Sequence, residues 1–241
     1  YLVAFLKVVQ TCCEQNIISI YISRFVNGPS LSGEKVSMTI KLKKGEFAKD
    51  YAKRYVDYTF DVVSKISPIE IETFVQTLLA AQNRGSSIYF IGNGGSASTA
   101  SHFANDLAIG SCSWDKPFIA CSLCDNQSIC TAISNDYSFD EIFAIQLSLC
   151  LQADDVWVAI SASGNSINLL KAIDVAKKRK AISFGLTAFD GGKLRKLADH
   201  CVHVPTDIGD YGPAEDAHLI LNHLVATYIK QYVGGKKYSG G

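Results

Sequence analysis

The stretch Ile88-Tyr89-Phe90-Ile91-Gly92-Asn93-Gly94-Gly95-Ser96-Ala97-Ser98 runs a short apolar segment straight into a loop of glycine, asparagine and serine, and helical periodicity follows it. Glycine lets the backbone approach an anion closely, a helix N-terminus offers unpaired N–H groups, and Asn and Ser add donors. The device recurs where the apolar run 156–160 opens into Ser161-Ala162-Ser163-Gly164-Asn165-Ser166. Two such loops at the ends of two strands of one sheet can converge on a single phosphate. Neither holds a lysine, which argues against a Walker-type nucleotide site. Gly92, Gly94 and Ala97 also satisfy the dinucleotide fingerprint G-x-G-x-x-A, with Asp125 as its acidic residue. That alternative leaves the second loop unexplained.

Short apolar runs alternate with helical stretches after Gly85. Strands are predicted at 88–91, 118–123, 156–160, 182–186 and 201–204, with helices near 97–108, 139–151, 166–179, 192–198 and 214–232. Uniformly apolar strands alternating with helices imply a parallel sheet covered on both faces, an α/β architecture. Ligands of such sheets bind beyond the C-terminal ends of the strands, where strand order reverses. Upstream, 47–66 carries Tyr51, Tyr55, Phe60 and Val63 at helical spacing. Ser67-Pro68-Ile69-Glu70 has the form of a capping box with proline at the first helical position, opening a second helix to about residue 83. The tail from Gly234 to Gly241 reads as frayed.

The 241 residues carry 23 Lys+Arg against 23 Asp+Glu, and 48% are hydrophobic. Zero net charge removes the generic attraction to nucleic acid or an anionic membrane. No apolar run approaches the ~18–20 residues needed to span a bilayer. The expected partner is therefore neither nucleic acid nor membrane. Eight cysteines are few for a disulfide scaffold in a chain of this length, and most of those from Cys112 onward sit in apolar runs, which favours a reducing cytoplasm. Cys121 and Cys124 form a C-x-x-C, but within what reads as a buried strand rather than at a helix N-terminus, so packing is preferred over redox chemistry.

The helices after the loops hold polar residues that need a reason. His102 and Asp106 are four apart and share a helix face. Glu215 and His223 are eight apart, about 80° around the helix at ~100° per residue, so both can border one cleft. Imidazole and carboxylate are what general acid–base chemistry or zinc requires. His200, His203 and His218 are read as ordinary surface or core histidines.

From Ile88 to Gly110 the text resembles the SIS (sugar isomerase) domain of the phosphoheptose isomerase family. The likeness continues through Ser134-Asn135-Asp136-Tyr137, the serine loop, Asp190-Gly191-Gly192-Lys193 and the last helix, covering about residues 45–233. The resemblance implies a flavodoxin-like, three-layer fold with a five-stranded parallel sheet, preceded by helices that pack in a homotetramer. It implies isomerisation of sedoheptulose 7-phosphate to the manno-heptose 7-phosphate, with zinc (Zn2+) in the active site of many members. Carried over by position, Asn93, Gly94, Gly95 and Ser96 match the first substrate loop, Ser161, Ser163 and Ser166 the phosphate-holding serines, and Asn135 and Asp136 a further substrate-contacting pair. Asp106 and His223 fall where the family moves protons. His102, Asp106, Glu215 and His223 fall where its residues surround the metal, with Glu215 also beside the substrate.

The chain departs from that pattern at several positions. Asp106 stands for a glutamate, Glu215 for a glutamine and Ala162 for a threonine, and the segment 207–213 is one residue longer. A rival reading is a non-catalytic SIS protein that senses a sugar phosphate or binds the bacterial replication initiator. The initiator-associating relative lacks the carboxylate four after the histidine and the last-helix histidine. This chain keeps both, as Asp106 and His223, which favours an enzyme. Residues 1–37 read as an atypical extension ahead of Met38, the only methionine. Residues 38–241 read as one SIS domain, with a helical arm at about 45–83 and a sheet core at about 86–233.

Overall fold

The computed structural model describes residues 40–236 and residue 238. The reading of residues 1–37 lies outside the described residues. Among the described residues two helices come first, α1 (Ala48–Ser64) and α2 (Pro68–Arg84). Strand β1 (Ser87–Gly92) then leads into α3 (Gly95–Asn105), which widens into a π-turn over Asp106–Gly110. There follow β2 (Ile119–Ser122), α4 (Gln127–Asp136), a 3-10 turn, α5 (Ile142–Cys150), β3 (Val156–Ser161), α6 (Ile167–Arg179), β4 (Ile182–Thr187), α7 (Gly192–Leu197), β5 (His200–His203) and α8 (Tyr211–Tyr232).

The five strands pair in parallel in the order β2-β1-β3-β4-β5. Strand order reverses between β1 and β3, whose registers run from Ile88 opposite Val156 to Gly92 opposite Ile160. The glycine loop and the serine loop therefore leave neighbouring strands at the same C-terminal end of the sheet, where such folds bind ligands. Side chains alternate across the sheet with a period of two. Val156, Val158 and Ile160 face the layer built on α1, α2, α3 and α8, and Trp157 and Ala159 face the layer of α5, α6 and α7. Phe103 stacks on Phe90 at 5.2 Å and meets Phe74 edge-on at 5.8 Å, so it anchors α3 to both β1 and α2. Truncation of such an aromatic costs about 3–5 kcal/mol, and this one sits next to His102.

Four expectations change. The segment 118–123 is not a uniformly buried strand: β2 is an edge strand with Ile119 and Cys121 exposed. Helix α4 was not predicted, because its Ser, Thr, Cys and Ile residues have modest helix propensity and only Ile133 is buried; Asn126 starts it by accepting the Ile129 N–H at 3.1 Å. The capping box is half formed. Ser67 caps α2 through the Glu70 N–H, but the Glu70 carboxylate crosses to β5 and accepts the His203 N–H at 2.9 Å. The tail is tied as far as Lys236, whose N–H reaches the Cys112 carbonyl and whose carbonyl accepts the Trp114 indole N–H. Residues 237 and 239–241 lie outside the described residues.

Among the described residues no helix is long and apolar enough to cross a membrane. The six cysteines described are free thiols. Burial raises the Cys124, Cys150 and Cys201 thiols above their ordinary range, the opposite of an activated nucleophile.

Candidate active site

The serine loop is closed from within. Ser161 Oγ accepts the Gly164 N–H at 3.1 Å and Ser163 Oγ accepts the Asn165 N–H at 3.3 Å. The loop is also bound to the β4–α7 turn: the Gly164 carbonyl accepts the Leu194 N–H, and Asn165 Oδ1 accepts the Lys193 N–H. Gly164 has φ +61°, and a Cβ there would lie 2.1 Å from the Gly191 carbonyl oxygen. Only glycine fits this approach. Ser166, at the N-cap of α6, makes no side-chain capping bond, which leaves its hydroxyl for a ligand beside the positive end of a 13-residue helix.

Asn93 and Asn168 join the glycine loop to the first turn of α6 by a reciprocal amide pair. Asn93 Nδ2 donates to Asn168 Oδ1 at 3.0 Å and Asn168 Nδ2 donates back to Asn93 Oδ1 at 2.8 Å. Asn93, Ser96, Ser161, Ser163 and Ser166 share with Glu215 a cavity of about 130 Å³. That volume is a few water molecules, which suits a phosphate group and not a whole sugar. Ala162 and Tyr211 also line it. Glu215 lies directly on the glycine loop: a Cβ on Gly95 would meet its carboxylate at 2.2 Å. Burial first, then the neighbouring Asp216 charge, raises the Glu215 carboxyl above its ordinary value.

A second group forms where α3 meets α8. His102 Nε2 lies 3.3 Å from Asp106 Oδ2 and 3.4 Å from His223 Nε2. The two imidazoles meet edge-on with centroids 4.9 Å apart. Asn222, fully buried, donates its Nδ2 to Asp106 Oδ2 at 2.9 Å. Among the described residues, His102, Asp106 and His223 are the one set of three His, Cys, Asp or Glu side chains whose ligand atoms all lie within 4.8 Å. Two imidazole nitrogens and a carboxylate oxygen are donor types zinc accepts, with a fourth position for water or substrate. These three residues therefore fit such an ion. Glu215, the fourth residue expected there, is not drawn into this set.

Asn135 and Asp136 end α4 on the surface, hydrogen-bonded to each other and apart from the cavity lining. Asp125, the acidic residue of the dinucleotide alternative, accepts the Ser101 hydroxyl. His218 is buried, and burial pushes its pKa down to about 4, so it is a neutral core histidine. His203 contacts Thr187 Oγ1 at 3.1 Å. Sequence reasoning missed Asn168, Asn222 and Tyr211. Asn168 follows Ser166 by two and Asn222 directly precedes His223, but nothing in a linear text says that either side chain turns inward.

The SIS domain family matches residues 50–188. The phosphoheptose isomerase of Aneurinibacillus thermoaerophilus is 30% identical over 195 residues, 78% of this chain and 97% of that protein. The phosphoheptose isomerase of Helicobacter pylori (strain Shi470) is 37% identical over 184 residues, 76% of this chain and 93% of that protein. The solved phosphoheptose isomerase of Neisseria gonorrhoeae superposes with a TM-score of 0.70 at 28% identity, covering 77% of this chain and all of that one.

Proposed function

Because the chain belongs to the phosphoheptose isomerase family of SIS-domain proteins, we propose that it converts sedoheptulose 7-phosphate to D-glycero-D-manno-heptose 7-phosphate. It is a sugar-phosphate isomerase. The observation that carries the reading is the pairing of a serine-lined cavity sized for phosphate with an imidazole–carboxylate group on the helices beside it.

The roles follow from the chemistry of each group. Ser161, Ser163, Ser166 and the N-terminus of α6 bind the phosphate, with Asn93 and Ser96 closing the cavity. Anchoring one end of the sugar converts proton transfer at the other into an oriented, effectively unimolecular step. The Asp106 carboxylate takes the C1 proton of the ketose while His223 gives a proton to the C2 oxygen, leaving an enediol. Asp106 then returns its proton to C2 and His223 takes one from the C1 oxygen, leaving the aldehyde. No proton is gained or lost over the cycle. Positioned acid–base groups of this kind contribute roughly 10²–10⁴-fold each.

Zinc belongs to this reading, held by one ligand atom each of His102, Asp106 and His223 and supported by their donor types and mutual distances, which leaves His223 Nδ1 and the second Asp106 oxygen for the proton transfers. Bound there, it would polarise the carbonyl and stabilise negative charge on the substrate oxygens. A homotetramer also belongs to it, supported by apolar side chains left in solvent beside His223. Val56 and Phe60 on α1 are 54% and 52% exposed, and Leu224 and Tyr228 on α8 are 44% and 45% exposed. A cytoplasmic setting is in keeping with the six free thiols.

The test is turnover of sedoheptulose 7-phosphate by the wild type and by His223→Ala, alongside a panel of six- and five-carbon sugar phosphates. The wild type should act on the seven-carbon sugar and H223A should lose most of kcat. Equal activity, or equal inertness across the panel, sinks the assignment.

A further inference from the structure

We propose that Asn222 is a positioning residue for the reaction, holding the short Asp106 carboxylate in the orientation that proton transfer requires. This rests on the reading of Asp106 as the base.

Asp106 carries a single methylene between backbone and carboxylate, and its terminal torsion is soft. Its orientation is therefore set by what binds its oxygens. Oδ1 accepts from the Asn105 amide at 3.2 Å, on the exposed side, and Oδ2 accepts from Asn222 Nδ2 at 2.9 Å, on the buried side, with the half-exposed His102 Nε2 3.3 Å from the same oxygen. Asp106 also opens the π-turn Asp106–Gly110, where the helix is wider than an α-helix and the regular ladder gives less support. Of these partners Asn222 is the rigid one: it is 0% exposed, on the flank of a 22-residue helix whose buried face packs on the core.

The Asn222 amide is costly where it stands. Its Oδ1 is buried and makes no hydrogen bond among the described residues. A buried orphan acceptor forfeits its hydration without return, and a leucine of the same branched shape would leave no orphan. The amide has to turn its NH2 toward Asp106, since the opposite rotamer would set two acceptor oxygens face to face. Among the described residues the bond to Asp106 is thus the single polar contact at the amide's end, and a purely structural role would be served better by an apolar residue. Chemistry at Asp106 is what the amide serves.

Folding and activity should consequently respond in opposite senses. Asn222→Leu should keep or raise the thermal midpoint, lower kcat for sedoheptulose 7-phosphate by about 10-fold or more, and leave KM within about threefold. The cycle with Asp106→Glu adds a rescue arm. D106E alone should lose about 10-fold in kcat, because a carboxylate carried one methylene further no longer meets the Asn222 amide in the geometry that holds Asp106, but no more than about threefold in the N222L background, where that bond is already gone. Asn222→Ala gives a second route should leucine overfill the site. A kcat at the wild-type level in both N222L and N222A overturns the proposal. So does a fall in kcat matched by a fall in midpoint, or strict additivity in the cycle. A wild type inert on this substrate would overturn the isomerase reading, and this inference with it.

Discussion

The serine loop after β3 is fixed by its own backbone, while the His102–Asp106–His223 group depends on two helices meeting. In the loop, hydroxyls bond to N–H groups two or three residues on, and Gly191 and Gly192 press against it so closely that no side chain fits between them. In the helix group, His102 is 41% exposed on its side chain, and the buried support comes from one residue, Asn222. The recognition region is preorganised locally and the reactive region over a long range, between α3 and α8. Glu215 ties the two, lining the loop cavity from the helix that carries His223.

The largest expected effect breaks the reactive region alone. Asp106→Asn keeps the shape but removes the base, and should cut kcat by about 10²–10⁴-fold. Binding of inorganic phosphate, followed by calorimetry, should stay within about twofold. A collapse of phosphate binding in D106N would show that the two regions are not separable.

Next in size is Gly164→Ala, which strikes the loop. Left-handed strain and the clash with the Gly191 carbonyl should remove about 2–4 kcal/mol of folding stability and raise KM, read by urea unfolding and steady-state kinetics. An unchanged midpoint would mean that the loop is not locked as described. Smaller still, Ser166→Ala deletes one hydroxyl from the cavity and should raise KM by roughly 10-fold, the value of about one hydrogen bond to a charged group, with kcat nearly unchanged. A fall in kcat alone would move Ser166 out of the phosphate site.

The smallest effect concerns the link. Burial, then the Asp216 charge, raises the Glu215 carboxyl above its ordinary value of 4.5. The fold therefore disfavours the ionised form: the penalty is absent below the ordinary glutamate range and grows as pH rises through the folded-state value. Glu215→Gln should raise the thermal midpoint modestly at pH 7 and not at all near pH 4. A gain that persists at pH 4 would place its origin in packing and not in charge.

What was legible in the sequence was whatever is encoded over a few residues. Gly94-Gly95-Ser96 and Ser163-Gly164-Asn165 announced anion loops because backbone conformation and donors are local properties, and the strand alternation announced a doubly covered parallel sheet. Helix α4 escaped because its one buried residue, Ile133, leaves no periodic stripe to read. β2 misled because an edge strand can have an apolar sequence and still face solvent. Of the site, spacing placed His102 with Asp106 on one helix and Glu215 with His223 on another. Only the packing of α3 against α8 decided that His223 joins His102 and Asp106 while Glu215 turns to the serine loop. It also decided that Asn222 points inward at Asp106. Residues 106 and 222 meet across 116 positions of chain, and a contact at that separation is set by how the core closes, which no local pattern records.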